Sequence, residues 1–285
     1  MMTQAFDPNA YKETTREQWQ NAAASWHRWT PTIQAWLGPV TEAMLAMAEL
    51  KPGDRVLDLA AGAGEPSISA AQIVGPSGHV LATDISSNIL EFAAQTARER
   101  GLTNYETRVM DGEKPDQPDD SFAAVLSRLG LIYFPDRAGA LRSARRVLRK
   151  GGRVVLASFS TPDRNRFFSI PITIIRRRAG LAPPAPGLPG PFSLGAPGAM
   201  EGMLREAGFS DIHTETVQAP LRVGSTAEFV RFEREAFGAL GEMLAGLTEN
   251  EKAATWDEIE QELRAFEVDG AVEAPTELVV GAGTK

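Results

Sequence analysis

Apolar positions along this chain follow two rhythms, a helical one over the first 50 residues and, after that, short buried runs alternating with helical stretches. Over residues 13–29 the spacing predicts a helix with Trp19, Trp26 and Trp29 near one face. Thr30-Pro31 then reads as a cap followed by proline in the first turn, opening a short helix with Ile33, Trp36 and Leu37. Gly38-Pro39 predicts a break, and a third helix covers residues 40–50 before the turn Lys51-Pro52-Gly53-Asp54.

Strands are predicted next over residues 55–59, 79–83, 105–109, 122–126 and 153–159, with helices over 66–74, 87–100 and 138–148 between them. A parallel sheet with helical crossovers requires this alternation. Residues 162–197, rich in Pro, Gly and Arg around an apolar stretch at 167–175, read as an insertion and not as another crossover. A helix at 199–207, a sixth strand at 212–217, helices near 226–237, 240–247 and 250–266, and a strand at 277–281 complete the pattern. Because the helices before it can fold outside the sheet, the last strand can close the sheet antiparallel.

Composition narrows the chemistry. The chain has 285 residues, enough for one large α/β domain with insertions, and no cysteine, which removes disulfides, thiolate metal sites and cysteine nucleophiles together. No carboxylate or histidine cluster has ligand spacing, so no metal is expected. The formal charge of −8 repels polyanions. The one basic cluster, Arg176-Arg177-Arg178 with Arg164 and Arg166, lacks interleaved aromatics and reads as solvated surface, so no nucleic-acid partner is expected. No apolar run approaches the ~20 residues of a membrane span, and Met1 to Asp7 lacks a signal-peptide pattern. These features predict a cytoplasmic protein, monomeric or homodimeric.

The candidate chemistry lies at the strand ends. The run Arg55-Val56-Leu57-Asp58-Leu59-Ala60-Ala61-Gly62-Ala63-Gly64-Glu65-Pro66 is a buried strand entering a small-residue turn, where backbone amides can approach a ligand closely. Asp84, roughly 20 residues beyond the turn, ends the next strand and can accept from ribose hydroxyls. Two cofactors could fill such an adenosine site, a dinucleotide or S-adenosylmethionine. Pro66 removes an amide donor where a pyrophosphate would need one, and Glu65 adds a negative charge beside it. Asp111, in Val109-Met110-Asp111-Gly112, can accept from an adenine amine.

With these motifs the chain resembles the class I S-adenosylmethionine-dependent methyltransferases, near the ubiquinone/menaquinone C-methyltransferase branch. The resemblance rests on residues 56–66, on Ala82-Thr83-Asp84-Ile85-Ser86 and on Val109-Met110-Asp111-Gly112-Glu113. It rests also on Asp120-Ser121-Phe122, Phe134-Pro135-Asp136 and Arg146-Val147-Leu148-Arg149-Lys150-Gly151-Gly152. It implies a Rossmann-like α/β fold with a seven-stranded, mostly parallel sheet, an antiparallel last strand, a helical N-terminal cap over residues 1–50 and a cofactor core over 51–160. A lid insertion (161–198) and a C-terminal part with a helical insertion (199–285) would follow, all as one integrated domain.

The resemblance also implies residue roles. Asp58 would reach the methionine amine, and Ala60, Ala61, Gly62 and Gly64 would let backbone approach the methionyl chain. Asp84 would hold the ribose, Ile85 an adenine face, and Asp111 with Gly112 the adenine edge; the carbonyl of Ser127 or Arg128 would face the methionine amine. Ala60 stands where the family often has Gly and is expected at negative φ. For catalysis the candidates are His27, Tyr133 and Arg128; Arg128 could instead pair with Asp136, and His27, His79 and His213 could all be structural. The tryptophans suggest an apolar or aromatic acceptor, with Trp19 and Trp36 assigned to packing. The expected function is methyl transfer to oxygen or carbon of a small lipophilic molecule; the alternatives are an NAD-dependent oxidoreductase and a non-catalytic S-adenosylmethionine-binding protein.

Overall fold

The computed structural model describes residues 6–285. The first five residues, part of the stretch read for a signal peptide, lie outside the described chain. Helix α1 spans Pro8–Arg28 and starts earlier than the apolar spacing indicates. Asp7 accepts from the Asn9 and Ala10 amides, and Pro8 needs no amide partner, so the cap sets the start ahead of the first tryptophan.

Helix α2, Thr30–Ala48, runs unbroken through Gly38-Pro39, against the break expected there. An interior proline costs about 3 kcal/mol. Burial of Trp36, Leu37, Val40 and Met44, each no more than 1% exposed, outweighs it at about 1.5–3 kcal/mol per side chain. Thr30 is the first helical residue and not a side-chain cap; Trp29 holds the cap position.

The alternating core then follows: β1 (Arg55–Leu59), α3 (Ser67–Val74), β2 (His79–Asp84), α4 (Ser87–Glu99), β3 (Tyr105–Val109), β4 (Phe122–Arg128), α5 (Arg137–Val147) and β5 (Leu148–Phe159). The insertion carries α6 (Arg166–Arg178), and α7 (Ala199–Glu206) leads to β6 (Ser210–Gln218). Arg177 and Arg178 pair with Glu258 at the surface, as a solvated cluster would.

Next come β7 (Leu221–Val223), α8 (Thr226–Ala236), α9 (Gly238–Met243), α10 (Glu249–Leu263), β8 (Glu267–Val268), β9 (Ala271–Ala274) and β10 (Glu277–Thr284). The main sheet has seven strands in the order β3-β2-β1-β4-β5-β10-β6. β1 to β5 are parallel, and β10 runs antiparallel between β5 and β6. The antiparallel last strand expected from the sequence is therefore present. A second, three-stranded sheet, β7-β9-β8, was not expected, since two to four residues per strand leave almost no periodic signal.

The strand order reverses at β1, which has β2 on one side and β4 on the other. Connections leave in opposite directions there, opening a crevice at the carboxyl ends of the strands. Among the described residues, no helix is long and apolar enough to cross a membrane.

Candidate active site

A cavity opens over that reversal point, lined at one end by Ala60, Ala61, Gly62, Glu65, Asp84, Ile85, Asp111 and Gly112. Of the sequence-derived cofactor residues, Ala60, Ala61, Gly62, Asp84, Ile85, Asp111, Gly112 and Arg128 reach its wall; Asp58, Gly64 and Ser127 do not. Asp84 is anchored before any ligand arrives: the Gly62 amide donates to Oδ2 at 3.0 Å and the Ser86 amide to Oδ1 at 2.9 Å. Burial raises its pKa to about 6, with the Ser86 and Gly62 amides pulling the other way.

The loop departs from expectation at Ala60, whose φ is +58°, where negative φ was predicted. Ala61 N donates to Thr83 O at 2.8 Å, and this bond to the next strand turns the chain into the left-handed region despite the Cβ. Gly64, with φ +115°, is needed for packing: a Cβ there would come within 2.5 Å of Ile68 Cδ1. It seats α3 against the loop and does not reach the cavity wall.

Asp58 lies fully buried beneath the loop, and neither carboxylate oxygen has a hydrogen-bond partner among the described residues. The nearby Ser67 hydroxyl is committed to the Gly64 carbonyl at 2.9 Å and to Tyr105 Oη at 2.9 Å. Desolvation pushes Asp58 up to about 7, with Ser67 and Arg128 opposing. Arg128 is the complementary orphan. It lines the cavity, donates Nη1 to Thr41 Oγ1 at 2.7 Å, and has no ion-pair partner among the described residues. Burial lowers its pKa. The expected alternative partner, Asp136, is occupied in capping α5 through the Gly139 amide at 2.8 Å.

A half-buried cation at the cavity wall without an ion-pair partner, together with an unpaired carboxylate buried beneath the loop, fits a ligand carrying both an ammonium and a carboxylate. The methionyl group of S-adenosylmethionine has both, and the Asp84 and Asp111 carboxylates suit its ribose and adenine. Ser127 stands behind this site: its side chain is fully buried, with Oγ donating to Leu59 O at 2.8 Å.

At the other end the wall becomes aromatic: Trp19, Trp26, Tyr133, Phe159 and Phe237, with Thr30, Ile33, Gln34 and Leu37 from α2. Tyr133, Trp19, Trp26 and Phe237 form a chain of edge-to-face contacts with centroids 5.8, 5.1 and 6.1 Å apart. Trp19 is thus a cavity residue and not simple packing, whereas Trp36 is core, against Phe159, Phe167 and Phe232. Burial raises the Tyr133 pKa, so its hydroxyl stays protonated and can donate.

His27 is not brought to the cavity: it stacks on Phe92 at 4.3 Å, with Nδ1 buried and without a partner among the described residues. His79 lies 3.4 Å from Glu106, and His213 pairs with Ala282 in the β6–β10 ladder. No group of three His, Asp or Glu among the described residues is placed to hold a metal.

Sequence reasoning missed Lys12, Thr30 and Gln34. Lys12 Nζ donates to Asp111 Oδ2 at 2.7 Å and also contacts Glu113. A pairing 99 residues apart in the chain has no local pattern to reveal it. Thr30 and Gln34 had a signal, since they share the four-residue spacing of a helix face with Ile33 and Leu37.

Comparison with known proteins bears on the fold and on the class of reaction. The family described as "Methyltransferase domain" matches residues 50–170. The chain is similar to nocamycin O-methyltransferase of Saccharothrix syringae, 31% identical over 201 residues, covering 67% of this chain and 72% of that one. A ubiquinone/menaquinone biosynthesis C-methyltransferase from Ectopseudomonas mendocina is 36% identical over 119 residues, 41% of this chain but only 46% of its own length. In fold the chain is similar to a putative methyltransferase from Bacillus halodurans, with a TM-score of 0.57, 22% identity, and coverage of 86% of this chain and 98% of that one. The protein belongs to the S-adenosylmethionine-dependent methyltransferases. Its cofactor is S-adenosylmethionine, which decides against a dinucleotide.

Proposed function

We propose that the protein methylates oxygen or carbon of a small, flat, lipophilic acceptor of polyketide or terpenoid type. The observation that carries this reading is the aromatic chain Tyr133–Trp19–Trp26–Phe237, which forms one wall of the cavity beyond the cofactor residues. Such a wall binds a planar ring by stacking and edge contacts worth about 0.5–1.5 kcal/mol each beyond area burial. The relatives named above support a small-molecule acceptor, one an O-methyltransferase and one a C-methyltransferase.

S-adenosylmethionine, when bound, supplies an electrophilic methyl group on a sulfonium. Asp84 and Asp111 hold the nucleoside end, Arg128 faces the methionyl carboxylate, and Asp58, buried beneath the loop, supplies negative charge behind the methionyl ammonium. The aromatic wall positions the acceptor and excludes water, so that alignment and desolvation provide most of the acceleration. Tyr133 donates a hydrogen bond to acceptor oxygen and holds it in place, which makes it the residue we assign to catalysis; His27 is not assigned.

The test is incubation of the purified protein with isotopically labelled methyl donor and an extract of aromatic metabolites, followed by mass spectrometry. Label on a planar oxygenated product supports the reading. Label only on peptides, nucleic acid or small hydrophilic amines overturns it, and bound cofactor with no transfer to any acceptor indicates a binding protein.

A further inference from the structure

Helix α2 presents Thr30, Ile33, Gln34 and Leu37 to the cavity, the i, i+3, i+4, i+7 positions of one face. Ile33 and Leu37 are 3% and 1% exposed, an apolar pair continuous with the core. Thr30 and Gln34, one turn apart, are half-buried, and no hydrogen bond among the described residues engages the Thr30 hydroxyl or the Gln34 amide. They therefore add a pair of polar groups without a protein partner to a wall otherwise made by Trp19, Trp26, Tyr133, Phe159 and Phe237.

Both groups line the cavity and are half-buried, so water can reach them when no acceptor is bound. An acceptor that fills the cavity displaces that water, and a buried polar group left without a partner costs about 1–3 kcal/mol. A wholly apolar ring is penalised for this; a ring with a suitably placed hydroxyl is not. The Gln34 carbonyl accepts from such a hydroxyl, and the Gln34 amide and Thr30 hydroxyl donate to its oxygen. Sites of this kind discriminate strongly against analogues lacking the matching group.

We infer that Thr30 and Gln34 are acceptor-specificity residues, reading a free hydroxyl on the acceptor ring and rejecting its methyl ether. This inference rests on the proposed aromatic-acceptor function. It goes further by assigning the discrimination to two residues on α2 that lie away from the cofactor residues.

Calorimetric titration of the protein, saturated with S-adenosylhomocysteine, uses naphthol and its methyl ether as probes. Naphthol is expected to bind about 5–10-fold more tightly than the ether to the wild type, as one or two hydrogen bonds imply. In Thr30→Val, in Gln34→Met and in the double variant, the preference falls toward one while S-adenosylhomocysteine affinity stays within about twofold. The single variants keep the test open if the double variant does not fold. A preference that is absent in the wild type, or persists in variants that bind S-adenosylhomocysteine normally, overturns this inference and leaves the aromatic acceptor standing. If neither probe binds the cofactor-loaded wild type, the aromatic reading fails and this assignment with it.

Discussion

Ala60 and Gly130 pack against one another at the edge of the cofactor loop: a Cβ added to Gly130 would lie 2.6 Å from the Ala60 Cβ. The same atom would lie 2.6 Å from Ser127 Oγ and 3.1 Å from Leu59 O. The methyl group of Ala60, already in left-handed backbone, thus uses the space that Gly130 leaves. Ala60→Gly is expected to stabilise the protein by about 1 kcal/mol, because the left-handed penalty disappears. Gly130→Ala should destabilise by about 1–3 kcal/mol, with Ala60→Gly recovering only part of that loss. Urea unfolding of the two single variants and the double variant measures both; equal stability of wild type and Gly130→Ala would contradict the packing.

Lys12 ties α1 to the loop after β3 through Asp111 and Glu113, and Gln20 ties it to the loop after β2. The Gln20 side-chain Oε1 accepts from Ser86 Oγ at 2.8 Å and from the Asn88 backbone amide at 2.9 Å. One helix is therefore fastened to both loops that hold the nucleoside. Lys12→Met should increase amide exchange across residues 8–28 and speed S-adenosylhomocysteine release several-fold, about what one partly buried ion pair provides. Stopped-flow release and exchange mass spectrometry read the two effects. Unchanged rates would show that the lysine does not hold the helix down.

The two buried carboxyls are expected to make cofactor binding pH-dependent. Desolvation raises Asp58 to about 7 and Asp84 to about 6, from an ordinary value of 3.8. The folded apoprotein then binds more protons than the unfolded chain between those limits, so stability falls as pH rises from near 4 to near 7. A bound ammonium and ribose favour the ionised forms, so the complex releases protons on formation. Affinity for S-adenosylhomocysteine is expected to rise by about tenfold from about pH 5.5 to 7.5, and Asp58→Asn should flatten most of that slope. Calorimetry in buffers of different ionisation enthalpy counts the protons; a flat profile in the wild type would be incompatible with protonated carboxyls in the free enzyme.

Glu233 on α8 is fully buried, with neither carboxylate oxygen hydrogen-bonded among the described residues, and desolvation holds its pKa well above the ordinary range. Its stability contribution follows the same sign, worsening as pH rises. Glu233→Met is expected to raise Tm by a few degrees at pH 8 and by less at pH 5. Calorimetric scans at the two pH values decide it; a drop in Tm at pH 8 would mean that the acid has a partner in solution.

Much of this architecture could be read from local pattern because β1, β2, β4 and β5 are continuous apolar runs bounded by turn residues. Asp84 and Ile85 stand at a strand end that such a run locates, whereas Asp111 follows β3, Tyr105-Glu106-Thr107-Arg108-Val109, which carries little apolar signal. Non-local effects account for most of what the pattern missed. α2 continues through Gly38-Pro39 because Val40 and Met44 are packed against the sheet, a gain that propensity does not register. Ala60 takes positive φ because of a bond to Thr83 across the strands. His27 belonged to a helix correctly assigned, but its direction depended on Phe92, which no helical spacing relates to it. Trp19 and Trp36 look alike in sequence and differ only in which neighbours surround them.

β10 sits between β5 and β6, so the edge of β5, complete at Phe159, has no neighbour on that side until Glu277 and the residues after it have been made. At roughly 5–20 residues per second, that edge stays bare on the ribosome for on the order of ten seconds. An unpaired strand edge recruits whatever extended chain is near. Slow translation or a stall within the helical insertion would therefore expose the nascent protein to misassociation, which ribosome-bound chaperones or a closely coupled release would have to limit.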